Sequence, residues 1–329
     1  MKIVAIAPRF IVLLVFFLSF ASTAYPFGFF AHRKINRMAV FTLPPEMIGL
    51  YKEHIEFLAE RSVDPDRRAH AVEGEAPRHY IDIDHFGPEP FAAMPKKWTD
   101  AVLAFTEDTL KQYGVLPWYI DVMMQRLTHA FKEVDMDRIL LLSAHLGHYI
   151  ADACTPLHTT VDYNGRVASH RGIHAFWESR LPELYAAEYD FFTGKAGYVS
   201  EPLNRAWELI KTSHYKVDTI YQVFDSLLLH VSGDLVYAHE MRGQASGRVY
   251  SQYFSEVFHT ALHGMVERQM RLAVNTVGDF WFTAWVNAGQ PDLQAMESRQ
   301  ISRRLLRLLR KQETEWNQAA NAAGRPNPP

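Results

Sequence analysis

The sequence has little cysteine, almost no excess of charge of either sign and few long hydrophobic runs. Its one cysteine, Cys154, cannot form a disulfide within the chain, so the fold must depend on packing and on any bound metal. With 34 basic and 37 acidic residues, the formal net charge of -3 gives no overall attraction to nucleic acid or to acidic membranes. A partner of either kind would have to be recognised locally. The hydrophobic share of 48% and the charged share of 22% exclude a disordered chain and predict a globular protein with a large core.

The most hydrophobic segment lies close to the N-terminus. It follows Lys2 and Arg9, covers residues 11–20 and precedes small residues at positions 22–24. About ten apolar residues are too few to cross a bilayer, which takes roughly twenty, whereas this order of features is typical of a secretory signal. We therefore predict that residues 1–24 are a cleaved signal peptide. The mature protein is then expected in the periplasm or outside the cell, without a transmembrane anchor.

Most of the remaining chain has apolar residues at helical spacing, which predicts an all-α fold. Strand patterns are scarce, and the one short alternating segment, Tyr80–Asp84, is better suited to an extended loop that carries ligands. We predict one domain over residues 25–292, with a cleft between helices and loops, and a C-terminal helical extension and tail over residues 293–329. The predicted helices are Ile35–Phe41, Met47–Ala59, Trp98–Tyr113, Ile139–Ala153, Trp207–Leu229 and Val249–Val286.

The C-terminal extension is rich in arginine and leucine. The pattern over residues 303–311 predicts a basic amphipathic helix. Two interpretations stand at this point, a solvated terminal helix and a helix that lies on a membrane surface.

Histidine is concentrated in one segment. Sixteen histidines in 329 residues would put roughly two in a window of 34 residues, whereas residues 145–178 contain five. Two histidine–carboxylate pairs there have four-residue spacing, which places both side chains of a pair on one helix face where they can bind one cation. Imidazole and carboxylate without thiolate are the ligands of catalytic rather than structural zinc. The two pairs and the histidine between them are His148 with Asp152, His158, and His174 with Glu178.

These motifs resemble a superfamily that joins the zinc-dependent bacterial phospholipases C to the single-strand-specific zinc nucleases of fungi and plants. The resemblance spans residues 27–178 and implies a cleft that binds three zinc ions. It is carried by the segments His148–Asp152, Pro156–His158 and His174–Glu178, and upstream by Val63–Arg67, His79–Asp82, Phe27, Gly28 and His32.

The resemblance also implies a ligand set for each ion. The first zinc would be bound by Asp64, His79, His148 and a bridging Asp152. The second would be bound by His158, His174 and Glu178. The third would be bound by His32, Asp152 and the amine and carbonyl groups of the first mature residue, for which Phe27 is the match. Because cleavage after Ala24 would leave Tyr25 and Pro26 in front of Phe27, either this dipeptide is trimmed or the third site is weak or absent.

The implied activity is hydrolysis of phosphodiesters, since paired zinc ions bind phosphate oxygens and activate water. Asp64 is the implied general base as well as a ligand. For a nuclease or 3′-nucleotidase, the resemblance assigns phosphate contact to Arg67, base stacking to Tyr80 and base hydrogen bonding to Asp82. Single-stranded nucleic acid is therefore the expected substrate.

Two alternatives remain. Glu178 stands where the nucleases have aspartate, and the disulfides of the fungal and plant nucleases are impossible here, which favours phospholipid hydrolysis of the phospholipase C type. Zinc could also stabilise an exported scaffold that does not catalyse any reaction, since ions that link separated segments stabilise a fold.

Overall fold

The computed structural model describes residues 29–242 and 245–319. The predicted signal peptide, Phe27 and the end of the tail lie outside the described residues. About 70% of the described residues are helical, and the sheet among them is a single two-stranded hairpin. The prediction of an all-α single domain is therefore confirmed. No helix in these ranges combines the length and the hydrophobicity that a membrane span requires.

The elements are short helices and turns around a few long helices. The α-helices are α1 (Phe29–Ala39), α2 (Pro45–Glu53), α3 (Ile55–Arg61), α4 (Asp64–Ala69), α5 (Pro90–Ala93), α6 (Trp98–Phe105), α7 (Glu107–Tyr113), α8 (Leu116–Lys132), α9 (Met136–Ala153), α10 (Ile173–Ala175), α11 (Leu181–Tyr185), α12 (Pro202–His214), α13 (Val217–His230), α14 (Gln252–Ala261), α15 (Met265–Asn287) and α16 (Arg303–Gln318). Short 3-10 turns cover Val40–Thr42, Ala76–His79, Ile83–Phe86, Pro156–Thr159, Ala168–His170, Gly233–Leu235 and Gln294–Met296. A π-helical turn, Phe176–Arg180, joins α10 to α11. The strands are β1 (Tyr237–Arg242) and β2 (Ala245–Tyr250), which pair antiparallel.

Helix α9 lies at the centre of the fold. Of its 18 residues, 14 are buried, which is typical of a helix that is covered on all sides. It packs against α1, α3, α8 and α15. The side chain of Asp135 caps its first turn by accepting a hydrogen bond from the backbone N–H of Arg138. The helix ends shortly before Pro156, because the residue that precedes a proline is sterically disfavoured in the helical conformation.

A glycine sets the distance between α1 and α9. A Cβ atom at Gly147 would overlap the side chain of Asn36, so only glycine allows this close approach. The Asn36 amide in turn donates a hydrogen bond to the carbonyl oxygen of His32, 3.1 Å away. As a result the rings of His32 and His148 stack with centroids 4.0 Å apart.

Several predicted helices are divided in the structure, and two elements were not predicted. The predicted helix Met47–Ala59 is interrupted at His54, and Trp98–Tyr113 is interrupted at Thr106, whose φ is 66°. Helix α8 was not among the predicted helices; Pro117 lies in its first turn, where proline is well tolerated. The hairpin was also missed, and the helix predicted from Val249 begins only after β2.

The C-terminal segment packs on the rest of the domain. Leu293 and Met296 are buried in the main core. Helix α16, the predicted basic helix, contacts α4 and buries Leu309 and Trp316. The extension predicted from residue 293 is therefore integrated into the domain over its described part.

Candidate metal centre

The candidate metal ligands come from six separate segments of the fold. Among the described residues, three groups of histidine and carboxylate side chains have ligand atoms within 4.8 Å of one another. The groups are His32, Asp66 and His148; His79, His148 and Asp152; and His158, His174 and Glu178. The elements that supply them are α1, α4, the turn Ala76–His79, α9, the turn Pro156–Thr159 and the helical stretch α10–α11. Seven of the predicted ligands are thus brought together.

Asp152, the predicted bridging ligand, lies between the groups. Its Oδ2 atom is 3.0 Å from His79 Nδ1 and 3.2 Å from His148 Nε2. Its Oδ1 atom is 3.4 Å from His32 Nε2 and 4.0 Å from His158 Nδ1. This carboxylate is buried, and within the described ranges Oδ1 has no hydrogen-bond donor. A cation at this point would satisfy the unpaired oxygen.

The group of His158, His174 and Glu178 is already oriented for a cation. The Nδ1–H of His158 donates to the carbonyl oxygen of His79 at 2.6 Å, so its Nε2 carries the lone pair. Glu178 Oε2 lies 3.0 Å from this Nε2 and 3.1 Å from His174 Nε2. A ring nitrogen fixed by a backbone carbonyl is the usual support of a histidine that binds metal.

An aromatic cluster holds the π-helical turn that carries Glu178. Phe176 is 1% exposed, and its ring stacks on Tyr250 with centroids 4.0 Å apart and on Phe258 at 5.0 Å. Arg180, at the end of the turn, donates to Glu240 of strand β1 at 2.7 Å. The π turn is therefore held in place by contacts with α14 and the hairpin. This helical geometry is often found at functional sites.

Asp64 does not join any of the three groups, contrary to its predicted place in the first zinc site. Its carboxylate is fully buried and lies 3.2 Å from Arg67 Nη1, 3.4 Å from Arg61 Nη1 and 3.8 Å from His145 Nε2. Asp66, two residues later on α4, faces the ligands instead. Its Oδ1 is 3.5 Å from His148 Nε2. Asp66 is therefore the carboxylate of α4 that lies with the candidate ligands, because one turn of a helix directs these two carboxylates to different neighbours.

The ligands border a cleft of about 240 Å³. Of the residues predicted to bind substrate, Tyr80 lines this cleft, although its ring is largely buried and its hydroxyl donates to the carbonyl oxygen of Gln112 at 3.3 Å. Arg67 and Asp82 are not among the lining residues, and Asp82 is buried. The cleft is lined by Asp66, Ala69, His70, Ala76, His79, Tyr80, His158, Tyr163, His174 and Glu178.

A buried carboxylate behind His79 was missed by the sequence analysis. Glu75 is completely buried and accepts hydrogen bonds from Tyr149, from Arg68 at 3.0 Å and from Arg78 at 2.5 Å. Its Oε1 lies 3.7 Å from His79 Nε2, on the side of the ring opposite Asp152. Burial raises the pKa of Glu75, but its donors outweigh this effect and hold the pKa below the usual value. Glu75 is therefore an anionic neighbour that fixes the orientation of His79.

The pKa values of the side chains in the candidate centre are governed by burial and by close charges. Burial, with a contribution from His148, lowers the pKa of His32 to about 4 and keeps this ring neutral. Burial also lowers the pKa of His79, but hydrogen bonds to Asp152 and Glu75 prevail and raise it to about 10. For Asp66, burial raises the pKa to about 6 despite the nearby histidines. The donor set, imidazole and carboxylate without thiolate, fits a divalent ion such as zinc.

Comparison of the chain with protein-family models and with curated proteins found no match. The family resemblance of the ligand motifs therefore remains a prediction.

Proposed function

We propose that this protein is an exported zinc-dependent hydrolase of phosphodiester bonds. The observation that carries the proposal is the set of three ligand groups that meet around Asp152 beside an open cleft. Five of the candidate ligands line that cleft, so a substrate phosphate could reach ions held there. Structural metal sites are usually closed, whereas catalytic sites keep a position open.

Zinc, when bound, supplies a Lewis acid for phosphate oxygens and lowers the pKa of water toward neutrality. The residues of the chain would hold the ions in position. Asp152 joins the two sides of the centre, and the hydrogen bond from His158 Nδ1 to the His79 carbonyl keeps His158 Nε2 free to bind. Asp66, which lines the cleft together with Glu178, is the carboxylate that we propose as the proton acceptor for water.

Single-stranded nucleic acid is the substrate we propose. Tyr163, which is partly exposed, lines the cleft, and its ring meets that of His174 edge-on with centroids 5.5 Å apart. Aromatic side chains beside a phosphate site support base stacking, which contributes about 1–3 kcal/mol per base and tolerates any sequence. Phospholipid hydrolysis is the second candidate, and the motif residue that favours it is Glu178.

A hydrolysis assay with and without chelator tests the proposal. Zinc-loaded protein would be given single-stranded DNA or RNA in one series and short-chain phosphatidylcholine in another. We expect chelator-sensitive cleavage of the nucleic acid. The variant His174→Ala should lose it, whereas His129→Ala, which removes a histidine that is 61% exposed and outside the ligand groups, should keep it.

The other results have definite meanings. Cleavage of lipid alone would contradict the proposed nuclease activity and support phospholipase C-like activity. Retention of zinc without cleavage of either substrate would contradict the proposed enzymatic activity and favour the zinc-stabilised scaffold.

A further inference from the structure

The outward face of α16 is strongly basic. Positions 303, 307 and 311 follow one another at intervals of four, which places their side chains in a row with steps of about 6 Å along the helix. Two more arginines flank this row, and all five cations are exposed. Lys311 lies 3.6 Å from Glu315, whereas the four arginines have no carboxylate partner within 4.0 Å in the described part of the chain. We name this surface the basic row: Arg303, Arg304, Arg307, Arg310 and Lys311.

The opposite side of α16 is fixed to the domain. Leu309 is 4% exposed and Trp316 is 7% exposed, where α16 packs against α4. Glu313 accepts a hydrogen bond from Arg61 at 2.7 Å. The helix is therefore a rigid support for the basic row.

The apolar surface of α16 does not suit insertion into a membrane. An interfacial helix lays an apolar face into the bilayer, but here that face is packed on the domain through Leu309 and Trp316. The exposed leucines, Leu306 and Leu308, lie on opposite flanks of the basic row by helical spacing. The surface of α16 that is exposed to a partner is a line of guanidinium groups. Their charge and hydrogen-bond donors match the phosphates of a polyanion.

The C-terminal end of α16 adjoins the metal cleft. The carbonyl oxygen of Trp316 lies 3.3 Å from His70 Nε2, and His70 lines the cleft. From Arg303 to Trp316 the helix spans about 20 Å. Because the whole chain has a net charge of -3, this line of cations is a local feature, and it lies on the helix whose C-terminal end adjoins the cleft.

We propose that the basic row binds the phosphate backbone of single-stranded nucleic acid and holds a polymeric substrate beside the cleft. The inference rests on the proposed nuclease function. It implies that hydrolysis of long strands depends on α16, whereas hydrolysis of a dinucleotide, which reaches only the cleft, does not. Each phosphate contact releases counterions, so the row should also determine how steeply binding falls with salt.

The test compares two triple variants of the full-length mature protein. The first is Arg303→Gln, Arg304→Gln and Arg307→Gln, with glutamine chosen because it keeps the helix propensity. The matched control removes the same charge from exposed cations on other segments, as Arg126→Gln, Lys132→Gln and Lys195→Gln. Binding of a fluorescent single strand of about 20 nucleotides, longer than the usual ~4–16 nucleotide site, is measured in chelator across a salt series.

We expect the first variant to bind the strand more weakly and to lower the slope of log affinity against log salt by about 2, since each lost contact contributes about 0.7. The control should keep the wild-type slope. With zinc, the first variant should lose activity on the long strand and retain it on a dinucleotide. An unchanged slope and affinity would overturn the inference, as would binding of phosphatidylserine vesicles in place of the strand. Salt-dependent binding through the row without any cleavage would contradict the proposed function and would support the binding of single-stranded nucleic acid by the basic row.

Discussion

The two aspartates of α4 provide the sharpest test of the metal centre. Asp66 Oδ1 lies 3.5 Å from His148 Nε2 and 3.6 Å from His79 Nδ1, whereas Asp64 contacts Arg61 and Arg67. Replacing either aspartate by asparagine removes one negative charge with almost no change in shape. The pair of variants Asp64→Asn and Asp66→Asn therefore separates metal binding from stability within one short helix.

Asp66→Asn is expected to weaken zinc binding by at least about 100-fold. Loss of a group that only supports a ligand already costs about 10–100-fold, and Asp66 is placed to bind directly. The free energy of unfolding of the metal-free protein should change by less than about 1 kcal/mol, because burial raises the pKa of Asp66 to about 6 and makes its charge costly there.

Asp64→Asn should have the opposite effects. Asp64 is fully buried, while the Arg61 and Arg67 side chains are 15% and 25% exposed. Breaking a buried ion pair costs about 3–5 kcal/mol, and we expect about 3 kcal/mol because both arginines reach water. Zinc affinity should stay at the wild-type value.

Competition with a chromophoric chelator gives the zinc affinities, and urea unfolding in chelator gives the stabilities. The reasoning is refuted if Asp64→Asn abolishes zinc binding while Asp66→Asn preserves it. That result would restore Asp64 as the ligand of the first site.

Four further predictions follow from the packing around the centre. Glu75→Gln should weaken zinc binding about 10–100-fold by releasing His79, as measured by chelator competition. Phe176→Ala should lower the free energy of unfolding by about 3–5 kcal/mol in urea, because it empties the aromatic cluster behind the π turn. Gly147→Ala should cost about 1–3 kcal/mol in the same assay, since the added carbon pushes α1 away from α9. Cys154, which is 2% exposed, should resist a water-soluble thiol reagent in the native protein and react after denaturation; rapid native labelling would show that α9 opens.

The proximity of the two residues in each candidate ligand pair could be predicted because the pairs are local. His148 with Asp152, and His174 with Glu178, need only the four-residue spacing of a helix to come together. The choice between Asp64 and Asp66 could not be made in this way, because both acids lie on one short helix. It is decided by how α4 packs against α9 and α16, which depends on the whole fold.

Long-range packing also explains the other differences. Glu75 is four residues before His79, but its burial requires Tyr149 of α9 and two arginines around it. The interruptions at Thr106 and His263 occur in left-handed backbone conformations of residues that are not glycine, with φ of 66° and 49°. The apolar pattern continues across both positions, so it does not reveal them. Tertiary packing determines where these helices end.

The dispersed origin of the ligands has a consequence for the unfolded chain. His79 and Asp152 are 73 positions apart, and His158 and Glu178 are 20 positions apart. An ion held by either pair would close a loop in the chain. In the chain-entropy treatment of cross-links, closing loops of these lengths stabilises the folded state by about 4 and about 3 kcal/mol. Many exported proteins obtain such loop closure from disulfides, which a chain whose one cysteine is Cys154 cannot form. In this protein the metal centre would serve as the cross-link, so the same ligands would limit the conformational freedom of the unfolded chain and carry out the chemistry of the folded one.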